Sequence, residues 1–595
     1  MTEANTTGAG TPEAGTTGTG PAEAGGRARP AVPAPRSAAE AGDPASGGSR
    51  RSRPSRLRRL SLPGAVLGLV ATLLTATPSL VPRAWYIELA LAGLTGAIAY
   101  GIGALAGWAY RGLGLPDLPA GARRWCWRVL AVAAPLLLLT SGFVGRRWQV
   151  EQRELLGMDP SVPWLWVLAP LLGVAVFALF LGIGRGVRWV GVRLARLLGR
   201  LLPARVALVL AVVVTAWATW FVTSGVLVGS ALSAADSLFA GRNDDTKPGV
   251  VDPDSPNRSG GPRSAVSWES LGREGRQFIW QGRTAGQIAE VTGDAEAVEP
   301  VRVFVGLESA PTAQQRAALA VADLRRMGGF DRRAIAVAGG TGSGWIDPKA
   351  ASALEFVAHG DVATVSMQYS YLPSWLSFLV DRERAASNAA ELITAIRVEL
   401  DTLPPDERPE LYVYGESLGA FSTGSAFTSV EDMSTTTDGA LMIGPPSFEP
   451  TWTRVQESRD PGSPLWRPVY QDGALARAAA VEADIRDPGL IWRTENRIIY
   501  LAHSSDPIVA WTADRAEWLD PRGDDVHPQV HALPLVGGLQ ATFDQFAANS
   551  TPPGHGHVYD EIVVPAWAEI LAPPALPAAE VEAIKSAVAE VDDPS

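Results

Sequence analysis

The chain has 595 residues, too many for one hydrophobic core, with a single cysteine and a net charge of −11. One thiol excludes an intramolecular disulfide framework, and Cys126, set between Trp125 and Trp127, reads as a packed apolar residue without chemistry. Up to Ala235 there are 23 Lys/Arg against 10 Asp/Glu, and from Asp236 onward 28 against 52, so the acidic total averages two unlike halves and signals no nucleic-acid partner.

Residues 1–59 are the first expected unit. To about residue 49 they are Gly, Thr, Ala, Pro and Glu with almost no large apolar side chain, a composition that predicts disorder. A basic cluster, Arg50, Arg51, Arg53, Arg56, Arg58 and Arg59, closes the tail, and the apolar run behind it is too long for a cleaved signal peptide. Five charge-free windows follow, at 60–82, 89–110, 129–145, 160–184 and 206–235. Each is near or above the ~17–25 residues that cross a bilayer core, the third only marginally, and together they predict an all-α transmembrane domain over 60–235. Trp85, Trp108, Trp127, Trp148, Trp164 and Trp189 near their ends suit an aromatic belt.

Arginine orients the predicted spans. Besides the first cluster, Arg111, Arg123, Arg124 and Arg128 lie between the second and third, and Arg185, Arg188, Arg193, Arg196, Arg200 and Arg205 between the fourth and fifth. The other two connections carry Arg83 alone, or Arg146, Arg147 and Arg153 diluted by Glu151, Glu154 and Asp159. The positive-inside rule then makes the N-terminus cytoplasmic, and an odd number of spans puts everything after Ala235 outside the cytoplasm. Glu88, the only acid near a span, lies close to an end, so no proton or ion path is expected.

Residues 236–270 read as a polar, turn-rich linker and 271–595 as one folded domain. There, short apolar runs alternate with amphipathic segments: "VRVFVGL", "AIAVAG", "VATVSMQY" and "LYVYG" as strands, separated by helices at "TAQQRAALAVADLRRM", "DPKAASALEFVA" and "ERAASNAAELITAIRVELDTL". Further strands are expected at "ALMIG", "RIIYLAHS" and "VHALPLV". Such alternation predicts βαβ units and a mainly parallel sheet covered on both faces.

The strand "LYVYG" runs into Gly415-Glu-Ser417-Leu-Gly419, a pattern that is weak by itself. Its position, ending a strand and opening a helix, gives Gly415 and Gly419 the role of letting backbones pass at a sharp nucleophile elbow. A serine hydroxyl needs a base. Of six histidines, His359, His503, His527 and His531 sit beside other elements, whereas His555 and His557 of "PPGHGHVY" lie in a late Gly/Pro loop before a final helix, with His557 favoured. Asp506 in "LAHSSDPIV" follows a strand at the same sheet edge, and the order Ser417, Asp506, His is that of α/β-hydrolase triads. For the oxyanion hole, the amide of Leu418 is joined by one from "AGGTGSGWIDP", with Gly342 favoured over Thr341 and Ser343. That loop lacks the spacing of a phosphate or dinucleotide site. No metal and no cofactor are expected, since a Gly-spaced histidine pair without nearby Cys or paired carboxylates is a poor metal site.

The stretches "TPSLVPR", "RVFVGLESA", "TGSGWIDP", "VSMQYSYLPSW", "YGESLGAF", "HSSDPIV" and "PPGHGH", spread from Thr77 to His557, resemble the actinobacterial membrane α/β-hydrolases. The resemblance implies a multi-span N-terminal domain of about five helices ahead of a serine hydrolase domain with an α/β-hydrolase fold. The reading is a membrane-anchored esterase, lipase or thioesterase acting on an ester or acyl-lipid of the cell envelope, with the bilayer as its partner. The apolar stretch "YSYLPSWLSFLV" (369–380) would line an acyl pocket, touch the bilayer, or form an internal core helix. An acyltransferase with the same triad, or a non-catalytic lipid- or protein-binding hydrolase-like domain, are the alternatives.

Overall fold

The computed structural model describes residues 60–511, 515–571 and 576–592. The expected disordered tail, 1–59, lies outside the described residues. Six helices build the N-terminal region: α1 (Leu62–Thr75), α2 (Trp85–Gly112), α3 (Ala120–Leu155), α4 (Leu165–Leu198), α5 (Ala204–Trp220) and, after a π-helical stretch Phe221–Val228, α6 (Gly229–Asp244). Among the described residues, four helical segments are long and apolar enough to cross a membrane: α2, α3, α4 and Ala204–Val226. They mark a membrane-anchored protein.

Two expectations for this region change. The window 60–82 yields a helix of only 14 residues, about 21 Å long, against a hydrocarbon core of about 30 Å. Pro78 and Pro82 do not continue the helix, and 76–84 is instead an irregular, turn-rich segment packed into the protein. The boundary drawn at Ala235 falls inside α6, which runs on to Asp244. The rest of the expected linker is ordered: Ser259 N–H donates to the Arg302 carbonyl, and the Arg258 guanidinium donates to the carbonyl of Gly282, so this segment flanks the first strand.

Close helix contact comes from small residues. A Cβ on Gly68 of α1 would lie 2.9 Å from the Gly96 carbonyl oxygen of α2, so α1 and α2 approach nearly backbone to backbone.

The C-terminal half is an eight-stranded sheet: β1 (Val301–Val305), β2 (Ala334–Gly339), β3 (Val362–Met367), β4 (Glu410–Glu416), β5 (Gly439–Ile443), β6 (Val469–Tyr470), β7 (Ala476–Ala479) and β8 (Arg497–Leu501), in the order β1-β3-β2-β4-β5-β8-β7-β6. All neighbours are parallel except β6 and β7. The continuous apolar strands are buried because helices cover both faces. Helix boundaries are written locally: Thr312 caps Ala313–Arg326 in a capping box with Gln315, and Asp347 caps Pro348–Val357. This is an α/β-hydrolase fold.

The topology creates the crevice. From β2 the chain moves to β3 on one side, whereas from β4 it moves to β5 on the other, so the loops leaving the adjacent strands β2 and β4 part and open a cleft at their carboxyl ends. The expected strand "VHALPLV" does not form. Pro534 interrupts it, and Val536 instead begins a helix, Val536–Asp544, that lies against α1 and α2 rather than the sheet.

That helix joins the two halves. Its Asp544 carboxylate accepts from Ser79 Oγ (2.7 Å), Leu80 N–H (3.1 Å) and Arg83 Nη1 (3.2 Å), while Arg83 Nη2 reaches Glu88 Oε2 at 3.0 Å. Glu88, expected near a span end, sits in the first turn of α2 but is fully buried on this arginine.

Candidate active site

β4 ends at Glu416 and the helix Leu418–Gly424 begins two residues later, so Ser417 alone makes the turn. It does so at φ 55°, ψ −118°, a conformation that L-residues adopt at a cost of about 1–3 kcal/mol and that surrounding structure must impose. The constraint is visible. Ser417 N–H donates to the Ile443 carbonyl at 2.8 Å, and Gly339 at the end of β2 pairs in register with Gly415. A Cβ on Gly419 would lie 2.2 Å from the Gly339 carbonyl oxygen, so helix and strand touch through bare backbone. Gly419→Ala is therefore expected to cost about 2 kcal/mol or more, read as a fall in the thermal midpoint of the detergent-solubilised protein.

Asp506 follows β8 and is fully buried. Its Oδ2 accepts from His557 Nδ1 at 2.7 Å and from the Tyr559 hydroxyl at 2.7 Å, and its Oδ1 from Ile508 N–H at 2.8 Å. His557 Nε2 is buried with no hydrogen-bond partner, 3.9 Å from Glu416 Oε1. The ring lies over the end of β5, where a Cβ on Gly444 would be 2.5 Å from its Cε1. Gly444 directly follows the carbonyl that holds Ser417, so imidazole and serine flank the same strand end. Burial and the Asp506 charge push the Tyr559 hydroxyl far above its ordinary pKa, which keeps it a donor to that carboxylate.

His555 does not share this pair. Its Nδ1 faces Asp525 Oδ2 at 3.9 Å. Asp525 also accepts from the hydroxyls of Ser504 and Ser505, and Ser505 Oγ in turn accepts from Gly556 N–H at 2.9 Å. Burial works against the Asp525 charge, but the His555 ring and the two serines offset it and hold the carboxyl below its usual range. The cluster ties the acid-bearing loop to the histidine-bearing loop. Elsewhere His359 faces Asp294 and Glu580, and His527 faces Glu151 at the end of α3. His503 is stacked on Tyr559 at 4.3 Å, and burial lowers its pKa, leaving it a neutral packing partner.

The loop after β2 turns beside the elbow. Thr341 N–H donates to the Trp345 carbonyl and Gly344 N–H to the Thr341 carbonyl, so the Thr341 amide is engaged within the loop, whereas neither Gly342 nor Ser343 uses its amide in that turn. A side chain at Gly342 would strike the Leu372 carbonyl at 2.2 Å, so 369–373 holds this loop in place. Leu418 is buried immediately after Ser417.

A strained serine between close-packed glycines, and a buried carboxylate-imidazole pair at the adjoining strand end, are the layout in which this fold carries its chemistry. Sequence comparison agrees: a family model described as "Alpha/beta-hydrolase family" matches residues 301–584, and one described as "Alpha/beta-hydrolase family N-terminus" matches 76–282. The chain belongs to an α/β-hydrolase family. No curated protein and no solved structure matches it.

In this α/β-hydrolase the wall beside Ser417 is apolar. Leu418, Phe421, Tyr369 and Ala385 form one buried cluster, with Phe378 and Phe448 half-buried against it. In the stretch 369–380, Tyr369 and Leu372 are buried in a loop, and Ser374–Val380 is a short helix whose Leu379 and Val380 are exposed. Sequence reasoning missed Tyr559, Asp525 and Phe448. Tyr559 had a signal, two residues from His557. Asp525 had none, because its partners lie at least twenty residues away in sequence.

Proposed function

We propose that the chain is a membrane-anchored serine hydrolase acting on ester or thioester bonds of acyl lipids or related envelope esters, with Ser417 as nucleophile, His557 as base and Asp506 as its orienting acid. The observation that carries this reading is the positive φ of Ser417 together with a buried His557 whose Nδ1 is held by Asp506 and whose Nε2 has no hydrogen-bond partner. With Nδ1 donating to the carboxylate, Nε2 carries the lone pair that a general base needs. Ser417 Oγ attacks the acyl carbon while its proton passes to Nε2. The leaving alcohol or thiol takes that proton, and water then cleaves the acyl-enzyme by the same transfers in reverse. The amides of Leu418 and of Gly342 or Ser343 face the developing oxyanion.

The N-terminal helices anchor the enzyme in the membrane, with the hydrolase half outside the cytoplasm. Support comes from which helix ends meet that half. Gln540 bonds the Thr75 and Thr77 carbonyls at the end of α1, and Glu151 near the end of α3 faces His527. The arginine-rich connection between α2 and α3 lies at the opposite end of α3.

Ser417→Ala is expected to abolish labelling of membranes by a fluorophosphonate probe and to remove ester turnover, while leaving the thermal midpoint close to wild type because alanine keeps the Cβ and the backbone conformation and removes only the hydroxyl. A folded wild-type protein that takes no label would reverse the assignment in favour of a binding role.

A further inference from the structure

The helix Val536–Asp544 is amphipathic in an inverted sense. Its polar side chains turn into the protein, Gln540 to Thr75 and Thr77 and Asp544 to Arg83. The outward stripe is Leu535, Leu539, Phe543 and Phe546 at helical spacing, with Leu535 40 % and Phe546 66 % exposed. A soluble surface would carry charge on that side.

Its depth matters as much as its polarity. Val536 is buried between Ala71 of α1 and Ala99 of α2. Ala99 lies about 21 Å along α2 from Trp85. The hydrolase half thus sends an element of its own alongside two apolar helices of the anchor, and the outward stripe continues their apolar surface.

The same helix opens onto the site. Trp511 Nε1 donates to Thr542 Oγ1 at 3.2 Å, and the indole packs edge-on against Phe378 at 5.9 Å. Phe378 meets Phe448 at 4.9 Å, and Phe448 meets Phe421 at 5.1 Å, in the cluster that contains Leu418. A row of ring contacts therefore runs from Trp511, hydrogen-bonded to this helix at Thr542, to Phe421 in the cluster that contains Leu418.

We propose that 535–546 is seated in the apolar layer of the bilayer beside α1 and α2, and that the row from Trp511 to Phe421 carries the long acyl chain of a bilayer-resident ester from that layer to Ser417. The occupant of the stripe is lipid, because the stripe lies alongside α2, whose length and apolarity already require it. The substrate half of the proposal rests on the hydrolase reading above.

Two measurements on the full chain in phosphatidylglycerol/phosphatidylcholine vesicles test it. In the first, Phe546→Cys is placed on a Cys126→Ser background and labelled with bimane. Lipids brominated on their acyl chains should quench the probe and aqueous iodide should not; the opposite pattern overturns the membrane seating whether or not the protein is an enzyme. The second compares 4-methylumbelliferyl palmitate dissolved in the vesicles with the water-soluble butyrate ester. Phe546→Asp should lower palmitate turnover about tenfold or more, while butyrate turnover and fluorophosphonate labelling stay within about twofold of wild type. Equal losses on both esters, or no loss on palmitate, overturn the delivery route. Absence of butyrate turnover and of labelling in wild type would instead remove the hydrolase reading and the delivery route with it, leaving the quenching result to stand for the seating alone.

Discussion

His557→Ala is expected to lower the rate of acylation by about three to four orders of magnitude, and His555→Ala by less than about tenfold, although the two residues are separated only by Gly556. The difference follows from what each ring faces. His557 Nδ1 donates to Asp506 at 2.7 Å, and Asp506 is itself fixed by Tyr559 and by the Ile508 amide, so the tautomer with a bare Nε2 is locked. His555 faces Asp525 at 3.9 Å, in the cluster that joins the two loops. Asp506→Asn tests the tautomer directly. It keeps the shape but turns a donor or a weaker acceptor toward Nδ1, and a loss approaching that of His557→Ala is expected. Single-turnover acylation by a chromogenic ester, alongside fluorophosphonate labelling, reads all three variants. A larger loss in His555→Ala than in His557→Ala would transfer the base to the other ring and remove Asp506 from its role.

The parallel strands were legible because they are short, continuous and apolar between turn residues, and the helices because Thr312, Asp347 and their neighbours write caps into the chain. The elbow was legible for the same kind of local reason: Gly415 and Gly419 flank the one residue that must take a positive φ. What failed depends on what a segment meets in three dimensions. The run 530–536 has the residues of a strand, but Pro534 denies it a ladder, and its apolar side chains find α1 and α2 instead. Hydropathy credited 60–82 to one span because it counts apolar residues without registering that Pro78 and Pro82 end the helix and that Ser79, Leu80 and Arg83 are claimed by the hydrolase half. Sequence favours His557 over His555 only narrowly, because Gly554 and Gly556, at φ 82° and 54°, set which ring turns toward Asp506, and no one-dimensional pattern reports that choice.

Arg83→Ala is expected to destabilise the protein by about 3–5 kcal/mol, a fall on the order of 5–15 °C in thermal midpoint, the largest stability effect of any single substitution considered. Arg83 lies between Glu88 and Asp544, and all three side chains are fully buried. Removing the cation leaves two carboxylates facing one another without water, which costs far more than the net contribution of the pair. Glu88→Gln should be milder, because Arg83 keeps Asp544 and the Thr75 carbonyl at 2.8 Å. Activity should be lost before the fold. Asp544 is followed directly by 545–550, where the Ala548 carbonyl accepts from His557 N–H at 3.0 Å, and Thr551 Oγ1 donates to the His555 carbonyl at 2.7 Å. The loop that presents the imidazole is thus suspended from the contact between the two halves. On heating, fluorophosphonate labelling of Arg83→Ala should disappear several degrees below its unfolding transition, whereas in wild type the two should coincide. Coincidence in both proteins would show that the junction supports global stability without holding the histidine in place.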